Sequence, residues 1–417
     1  MSETAATRRE ASPNVVLAML LLVYTFNFLD RQILSILAQP VKADLGLTDT
    51  QLGLLGGLAF AALYSTLAIP LALLADRTSR SWVITGSLAV WSLFTALCGT
   101  AQGFAQMFLY RLGVGVGEAG GVAPSYALIS DYFPPERRAR ALAIYSLGIP
   151  LGAAGGVLLG ATIAQAVDWR TAFVTVGLAG VLIAPAFRLL VRDKPRPAPA
   201  ADRIPVGRVF AILAAKPSFW LLAFGAASGS MCGYGVAFWL PSLMQRSFGL
   251  GLVETGQFFG ALLLTGGVAG VLAGGFWGDR LGMRGKRWYA LLPAICYLAG
   301  APLFIAGVLS HSVTTASVLF LLPQALVYVW LGPVLTAVQH LVPATMRASA
   351  SASFLLINNL IGLGLGSWTI GALSEALTPG YGPDALRFAI AIALGFYGLA
   401  GVLMLLASRT LERDWVE

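Results

Sequence analysis

The sequence predicts an all-α membrane protein with 12 transmembrane helices arranged as two pseudo-symmetric six-helix bundles. Three observations carry that expectation. Of 417 residues, 57% are hydrophobic and 11% are charged, whereas a soluble globular domain carries about 25% charged residues. Twelve apolar stretches each approach or exceed the roughly 20 residues that cross a bilayer. A charged loop pattern in the first half returns in the second, with Asp76 and Asp279 in matching places. With a mean hydropathy of +0.78, this composition excludes a soluble enzyme, a disordered chain and a nucleic-acid-binding module.

The apolar stretches, here called spans 1 to 12, run over 15–39, 48–75, 82–103, 106–131, 139–165, 170–190, 218–245, 253–278, 287–309, 313–341, 347–376 and 384–408. Span 1 continues without a small-residue cleavage site, so it is expected to be retained and not removed as a signal peptide. A tail at 1–14 precedes the first bundle, 15–190. A linker at 191–217 is rich in proline and charge and is expected to be extended or loosely ordered. The second bundle, 218–408, ends in a short tail at 409–417.

Arginine and lysine set the orientation. With the N-terminus in the cytoplasm, 21 of the 27 basic residues fall on the cytoplasmic side. Only Lys42, Arg170, Arg246 and Arg387 fall outside, and Arg31 and Arg111 lie within spans. A missed or false span would destroy that bias. Both termini are therefore expected in the cytoplasm, in the inner membrane of a bacterium. The net charge of +8 is spread between spans, not on one stripe, so no nucleic-acid partner is expected. The scattered Cys98, Cys232 and Cys296 offer no disulfide framework and read as small core residues. The two histidines, His311 and His340, are too far apart to suggest a metal site.

The two halves echo each other. Asp76-Arg77-Thr-Ser-Arg80 follows span 2, and Asp279-Arg280-Leu-Gly-Met-Arg284 follows span 8. Pro134 with Arg138 after span 4 matches Pro343 with Arg347 after span 10. Two parallel six-span halves imply a pseudo-two-fold axis along the membrane normal, with a site at midplane between the halves.

The loop after span 2 and its copy after span 8 resemble the signature of the major facilitator superfamily, and the resemblance covers essentially the whole chain. Asn27-Phe-Leu-Asp30-Arg31 in span 1 and Arg111-Leu-Gly-Val-Gly115-Val-Gly117-Glu118-Ala119 in span 4 resemble patterns of its spinster group. That resemblance implies a proton-coupled secondary transporter working by rocker-switch alternating access on a lipid-like cargo, such as a lysophospholipid or a sphingoid compound. A proton-coupled multidrug or organic-anion transporter is the alternative. The chain departs from the superfamily loop at Ala72, where glycine is usual.

Charges at bilayer depth cost several kcal/mol, from about 2.5 upward. Asp30, Arg31, Arg111 and Glu118 lie well inside spans. At about 1.5 Å rise per residue they reach neighbouring depths, and Asn27, four residues before Arg31, can join them. One reading is a fixed ion-pair cluster that sets helix register. The other is a proton-coupling site. A carboxyl group in low dielectric beside a guanidinium is balanced between its two forms, which suits Glu118, and Asp30 second, to carry a proton. Arg31 and Arg111 keep their charge and suit an anionic head group or the ionised acids. The spinster resemblance points to the same positions.

Gly115-Val-Gly117-Glu118-Ala119-Gly120 matches a dinucleotide fingerprint only in letters, because no strand–helix unit surrounds it. Its glycines suit close helix approach. So do Gly148, Gly152, Gly156 and Gly160, four residues apart along span 5.

Asp76, Arg77, Arg80 and Asp131 lie at the inner ends of spans 2 to 4, with Arg138 nearby. They read as ordinary surface charge, whereas the superfamily resemblance implies a gate latch. In the latch, Asp76 would face the start of span 11, and Arg80 would pair with Asp131 only while the inner side is closed. Asp279, Arg280 and Arg347 are the second-half equivalents. The second half offers aromatic and uncharged polar candidates for the cavity: Tyr234, Phe238, Trp239, Gln324, Tyr328, Asn358, Asn359 and Trp368. An ionic face opposite an aromatic one suits a small amphipathic substrate.

No metal, cofactor or enzymatic role is expected. No span carries H-E-x-x-H or a Ser/His/Asp set, and no phosphate-binding G-x-x-x-x-G-K-[ST] loop is present. The expected partners are the substrate, protons and the lipid bilayer, with the chain a monomer. A receptor that binds without translocating is a third possibility, against which the repeat and the paired loops argue.

Overall fold

The computed structural model describes residues 12–194 and 206–416, and among these every regular element is helical. Ten continuous helical segments are long and apolar enough to cross a bilayer. The last of them, Ser349–Asp414, spans 66 residues and turns at Gly382, where a positive φ of 52° suits glycine. It therefore holds both span 11 and span 12. Span 4 is absent from the ten because it breaks into Phe104–Glu118 and Val122–Tyr132. Each of the twelve predicted stretches is thus helical.

Local chemistry sets many of the helix ends. Thr48 and Gln51 form a reciprocal capping box at Asp49–Gly56, the first part of span 2. Gly46 and Gly249 adopt left-handed conformations where the Ala38–Leu45 and Pro217–Phe248 helices end. Asp168 caps the Trp169–Leu190 helix of span 6 by accepting from the Thr171 amide, 2.7 Å away. That bond holds its carboxyl below the usual carboxylate range.

The linker departs in part from its expected extended form. Val206–Ala214 is helical. Its apolar residues fall at helical spacing, and Val209 and Leu213 are buried against Phe219 and Leu222 of span 7. The proline-rich part of the predicted linker, 195–205, lies outside the described residues, as do 1–11 of the N-terminal tail and residue 417.

Within each half the closest helix pairs meet through glycine. A Cβ on Gly152 would stand 2.2 Å from the Thr25 carbonyl oxygen, and one on Gly156 2.4 Å from that of Leu29. Span 5 is thereby drawn onto span 1, the helix carrying Asp30 and Arg31. Gly115 and Gly117 similarly let span 4 touch the backbones of Phe60 and Trp91. In the second half, Gly270 and Gly274 of span 8 abut the carbonyls of Ala325 and Val329 on span 10. Cys98, Cys232 and Cys296 are all buried and free.

Asp193, just past span 6, accepts from the backbone N–H groups of Arg80, 2.9 Å away, and Ser81, 3.2 Å away. It also accepts from the hydroxyls of Ser79 and Ser81. A carboxylate from outside the helix thus satisfies the free N–H groups at the start of span 3. Asp193→Ala is expected to cost about 1–2 kcal/mol, the upper range for a lost cap, measured as a lower thermal midpoint of the detergent-purified protein.

The halves touch along spans 1 and 7, 2 and 11, and 5 and 8. Most basic residues gather at one face of the molecule, here the basic face. Every hydrogen bond that joins the two halves among the described residues lies at the other face. These bonds link Gln39 to Ser242 and Arg246, Asp49 to Arg246 and Ser374, Thr50 to Glu375, and Gly53 to Ser367. Gln245 reaches the Ile36 carbonyl in the same region. Among the described residues the hydrogen bonds that fasten the seam therefore gather at the opposite face.

Candidate functional site

Span 1 and the broken span 4 bring the buried charges together. Arg31 Nε donates to Glu118 Oε2 at 2.7 Å. Glu118 is fully buried, whereas the Arg31 side chain is 12% exposed, which makes Arg31 the member of the pair that faces open space. Glu118 is the last residue of the Phe104–Glu118 helix, so its carboxylate sits where span 4 interrupts. Asn27 lies beside it.

Asp30 forms no salt bridge with Arg31. It accepts from the Thr95 hydroxyl of span 3, with Glu118 and Arg111 close enough to act on its charge. Arg111 is buried, and its Nε approaches the Leu55 carbonyl at 3.4 Å, where Gly56 and Gly57 disturb the helix of span 2. One oxygen each on Asp30, Glu118 and Asn27, and Nη1 of Arg111, have no hydrogen-bond partner. Four unpaired buried polar atoms in one cluster leave capacity for protons or small polar guests.

Aromatic rings surround the Arg31 guanidinium. Its central carbon lies 5.1 Å from the Phe28 ring centre, 4.7 Å from Phe60 and 4.6 Å from Tyr64. Such cation–π contacts hold a guanidinium flat and partly desolvated. Toward the basic face, Tyr24 stacks on Tyr145 at 4.3 Å, and Tyr126 meets Tyr145 edge-on at 5.5 Å. Tyr126 is 42% exposed, although its neighbours come from spans 1, 2 and 5, the spans that face the second half. It therefore lines the open space between the halves. Sequence reasoning missed these rings and Thr95. Phe28, three residues before Arg31, and Phe60 with Tyr64, four apart on span 2, carried a helical-spacing signal that could have found them.

The second-half candidates separate into two groups. Tyr234 is partly exposed and lies near Arg31 across the gap, and Tyr328 is its neighbour. Phe238 and Trp239 are buried in the seam of the opposite face. Phe238 lies against Gly56, and Trp239 Nε1 donates to the Ser367 carbonyl at 2.7 Å. Asn358 is buried and accepts from Ser230 Oγ at 2.8 Å, pinning span 11 to span 7. A π-helical turn at Asn359–Leu363 follows it, so one residue is added to the helix beside span 2. Gln324 is packed under Gly266. Trp368 is 37% exposed and lies beside Gly53.

The expected latch residues of the first half lie together. Arg80 donates to Asp131 at 2.5 Å and to Asp76 at 3.2 Å, although no hydrogen bond among the described residues joins the halves at this face. All three residues belong to the first half, so the cluster ties the ends of spans 2, 3 and 4 into one unit. Arg138 reaches the Ser130 carbonyl at 3.1 Å, and Arg77 is exposed. Asp279 and Arg280 are exposed beside Phe276 and Met283. Arg347 opens the Arg347–Asn358 helix of span 11.

Two six-helix lobes, a gap fastened at one face and a buried ion pair at bilayer depth define a multi-pass membrane transporter. The sequence matches the Major Facilitator Superfamily over residues 20–367. A Mycolicibacterium smegmatis protein described as an MFS-type efflux pump is 36% identical, covering 95% of this chain and 93% of that one. Human protein spinster homolog 1 is 28% identical, covering 96% of this chain and 81% of its own. The crystal structure of a bacterial homolog of the human lysosomal transporter spinster, inward-facing and unoccupied, superposes with a TM-score of 0.88. That structure is 29% identical and covers 97% of this chain and 98% of its own. The chain belongs to the Major Facilitator Superfamily and is one of its spinster-like transporters, not an enzyme.

Proposed function

We propose that this transporter moves a small amphipathic, lipid-like substrate by rocker-switch alternating access coupled to protons, with Glu118 as the proton carrier and Asp30 as its partner. The observation that carries the reading is the buried Arg31–Glu118 pair, 2.7 Å long, whose cation alone faces the gap. A substrate's anionic head that engages Arg31 competes with Glu118 for the same guanidinium. Glu118 then loses its counter-charge and takes a proton, because a buried carboxylate without a partner is costly. Substrate and proton thereby act on one bond.

In this reading the basic face is cytoplasmic, both termini lie inside, and the protein acts as a monomer in a bacterial inner membrane. Head-group recognition falls to Arg31, with Arg111 and Asn27 behind it. Tyr234 and Tyr328 of the second half, with the Tyr126 ring of the first, line the path of an apolar tail. Phe238 and Trp239 close its far end, and Asn358 and Trp368 shape the wall of span 11. The Asp76–Arg80–Asp131 cluster with Arg77 and Arg138, and Asp279, Arg280 and Arg347 opposite, form the inner rims that meet when the gap closes. The efflux-pump relative favours a second reading, in which the same site takes drugs or organic anions.

Uptake into proteoliposomes with and without a pH gradient tests the coupling. A lysophospholipid, a sphingoid base and a panel of organic anions and cations separate the two readings. Flux indifferent to the gradient refutes proton coupling. Arg31→Lys is expected to weaken binding of an anionic amphiphile about ten- to a hundredfold, the worth of one hydrogen bond to a charged group. The ammonium keeps the charge but loses the flat face held by Phe28, Phe60 and Tyr64. Ligand-induced thermal stabilisation measures this, and unchanged affinity would remove Arg31 from the site.

A further inference from the structure

The seam at the opposite face converges on one carboxylate. Asp49, the first residue of the span 2 helix, is 6% exposed. It accepts from Arg246 Nη1 at 2.8 Å and Nη2 at 2.7 Å, from Lys42 Nζ at 2.6 Å and from Ser374 Oγ at 2.7 Å. Lys42 belongs to the same half as Asp49, whereas Arg246 and Ser374 belong to the other. Arg246 is held further by Gln39 Oε1, 2.7 Å from its Nε. Beneath this network the halves meet backbone to backbone. A Cβ on Gly53 would lie 2.5 Å from the Ser367 oxygen, one on Gly57 2.6 Å from that of Gly364, and one on Gly371 2.3 Å from that of Asp49.

The glycine contacts lay backbone against backbone, so dispersion and the Ser367 hydroxyl's bond to the Gly53 carbonyl oppose their separation. Of the directional bonds that cross the seam among the described residues, the salt bridge is Asp49–Arg246. We infer that the Asp49–Arg246 pair is the lock of the opposite face, a positioning element that holds the transporter open toward its basic face, and that Lys42 makes the lock reversible. When the halves part, Arg246 and Ser374 leave with the second half, and Asp49 keeps Lys42. No bare carboxylate is stranded, which removes the main penalty of breaking a buried pair. A water-accessible cavity of about 390 Å³ borders Lys42, Asp49 and Arg246, so the released guanidinium can be hydrated as it moves. This lock needs only the alternating motion of the family and is independent of the proton and substrate roles proposed above.

The test uses Ser367→Cys as a reporter, since Ser367 is buried in the seam and bonded to the Gly53 carbonyl. The native Cys98, Cys232 and Cys296 are replaced by alanine, and the full-length protein is labelled in proteoliposomes by a membrane-impermeant maleimide. Asp49→Asn is expected to raise the labelling rate from the opposite face about tenfold, by shifting the population toward the state open on that side. Arg246→Gln should do the same, and the double variant should exceed neither single one, because both remove one bond. Asp49→Glu should return the rate toward the parent, which a purely structural role at a packed helix start would not do. Labelling within twofold of the parent in monodisperse Asp49→Asn or Arg246→Gln protein would overturn the lock. Additive increases in the double variant would also overturn it. Gradient-driven flux is read separately, so its absence refutes the coupling proposal and leaves the labelling result standing.

Discussion

Glu118→Gln is expected to abolish gradient-driven accumulation while leaving substrate exchange intact. One pH unit corresponds to 1.36 kcal/mol per proton, so a transporter coupled to one proton can concentrate its substrate about tenfold across that gradient. In the glutamine variant the ratio should fall to about one. The glutamine carbonyl can still accept from Arg31 Nε, in the place of the oxygen now 2.7 Å away, so the cluster keeps its shape. It cannot release a proton, and the variant is confined to exchange that moves no net charge through this site. The fully buried position of Glu118 makes alanine a poor choice for the same experiment, because it would leave Arg31 unpaired, a loss of about 3–5 kcal/mol. Asp30→Asn separates the two acids. Asp30 accepts from Thr95 and forms no direct ion pair with Arg31. If Glu118 is the carrier, the Asp30 variant keeps more of the gradient response. A Glu118→Gln protein that still accumulates substrate with the gradient would end the assignment.

The second large effect is steric. Gly156→Ala should destabilise the protein by about 1–3 kcal/mol, and Gly156→Val by more, as expected for overpacking against a backbone that cannot yield locally. The added Cβ would lie 2.4 Å from the Leu29 carbonyl oxygen, and at Gly152 it would lie 2.2 Å from that of Thr25. Relief requires span 1 to move away from span 5, which displaces Asp30 and Arg31, so transport should fall together with stability. The neighbouring glycine is an internal control. A Cβ on Gly155 has its nearest neighbour at an ordinary 3.9 Å, a side-chain atom of Leu29. Gly155→Ala should therefore lie within about 0.5 kcal/mol of the parent. Thermal midpoints of the two purified alanine variants decide the matter. Equal midpoints would show that the span 1–span 5 contact is not set by close backbone approach.

Several features of the site are legible in the amino-acid sequence. Counting residues from the span ends places Asp30, Arg31, Arg111 and Glu118 at neighbouring depths, because a helix advances by a fixed rise. The four-residue glycine repeat announces a close helix pair but not its partner, since a smooth face carries no record of what covers it. Thr95 is not legible. Its hydroxyl also bonds the Trp91 carbonyl, as Ser and Thr commonly do along a helix, and nothing in the chain marks it as Asp30's partner. Phe238 and Trp239 read as cavity aromatics, yet they lie in the seam. Helical spacing gives a direction around the axis but cannot say at which height the two lobes touch.

Hydrophobicity and charge along the chain determined the helical class, the two halves and which polar residues sit at bilayer depth, because a bilayer penalises each polar group locally and independently of its neighbours. The tertiary structure alone decided which oxygen pairs with which guanidinium, that Arg80 stays bonded within its own half, and that the halves are fastened around Asp49. Those choices depend on contacts between residues far apart along the chain and on how the two lobes meet. Neither is written in any local pattern of the sequence.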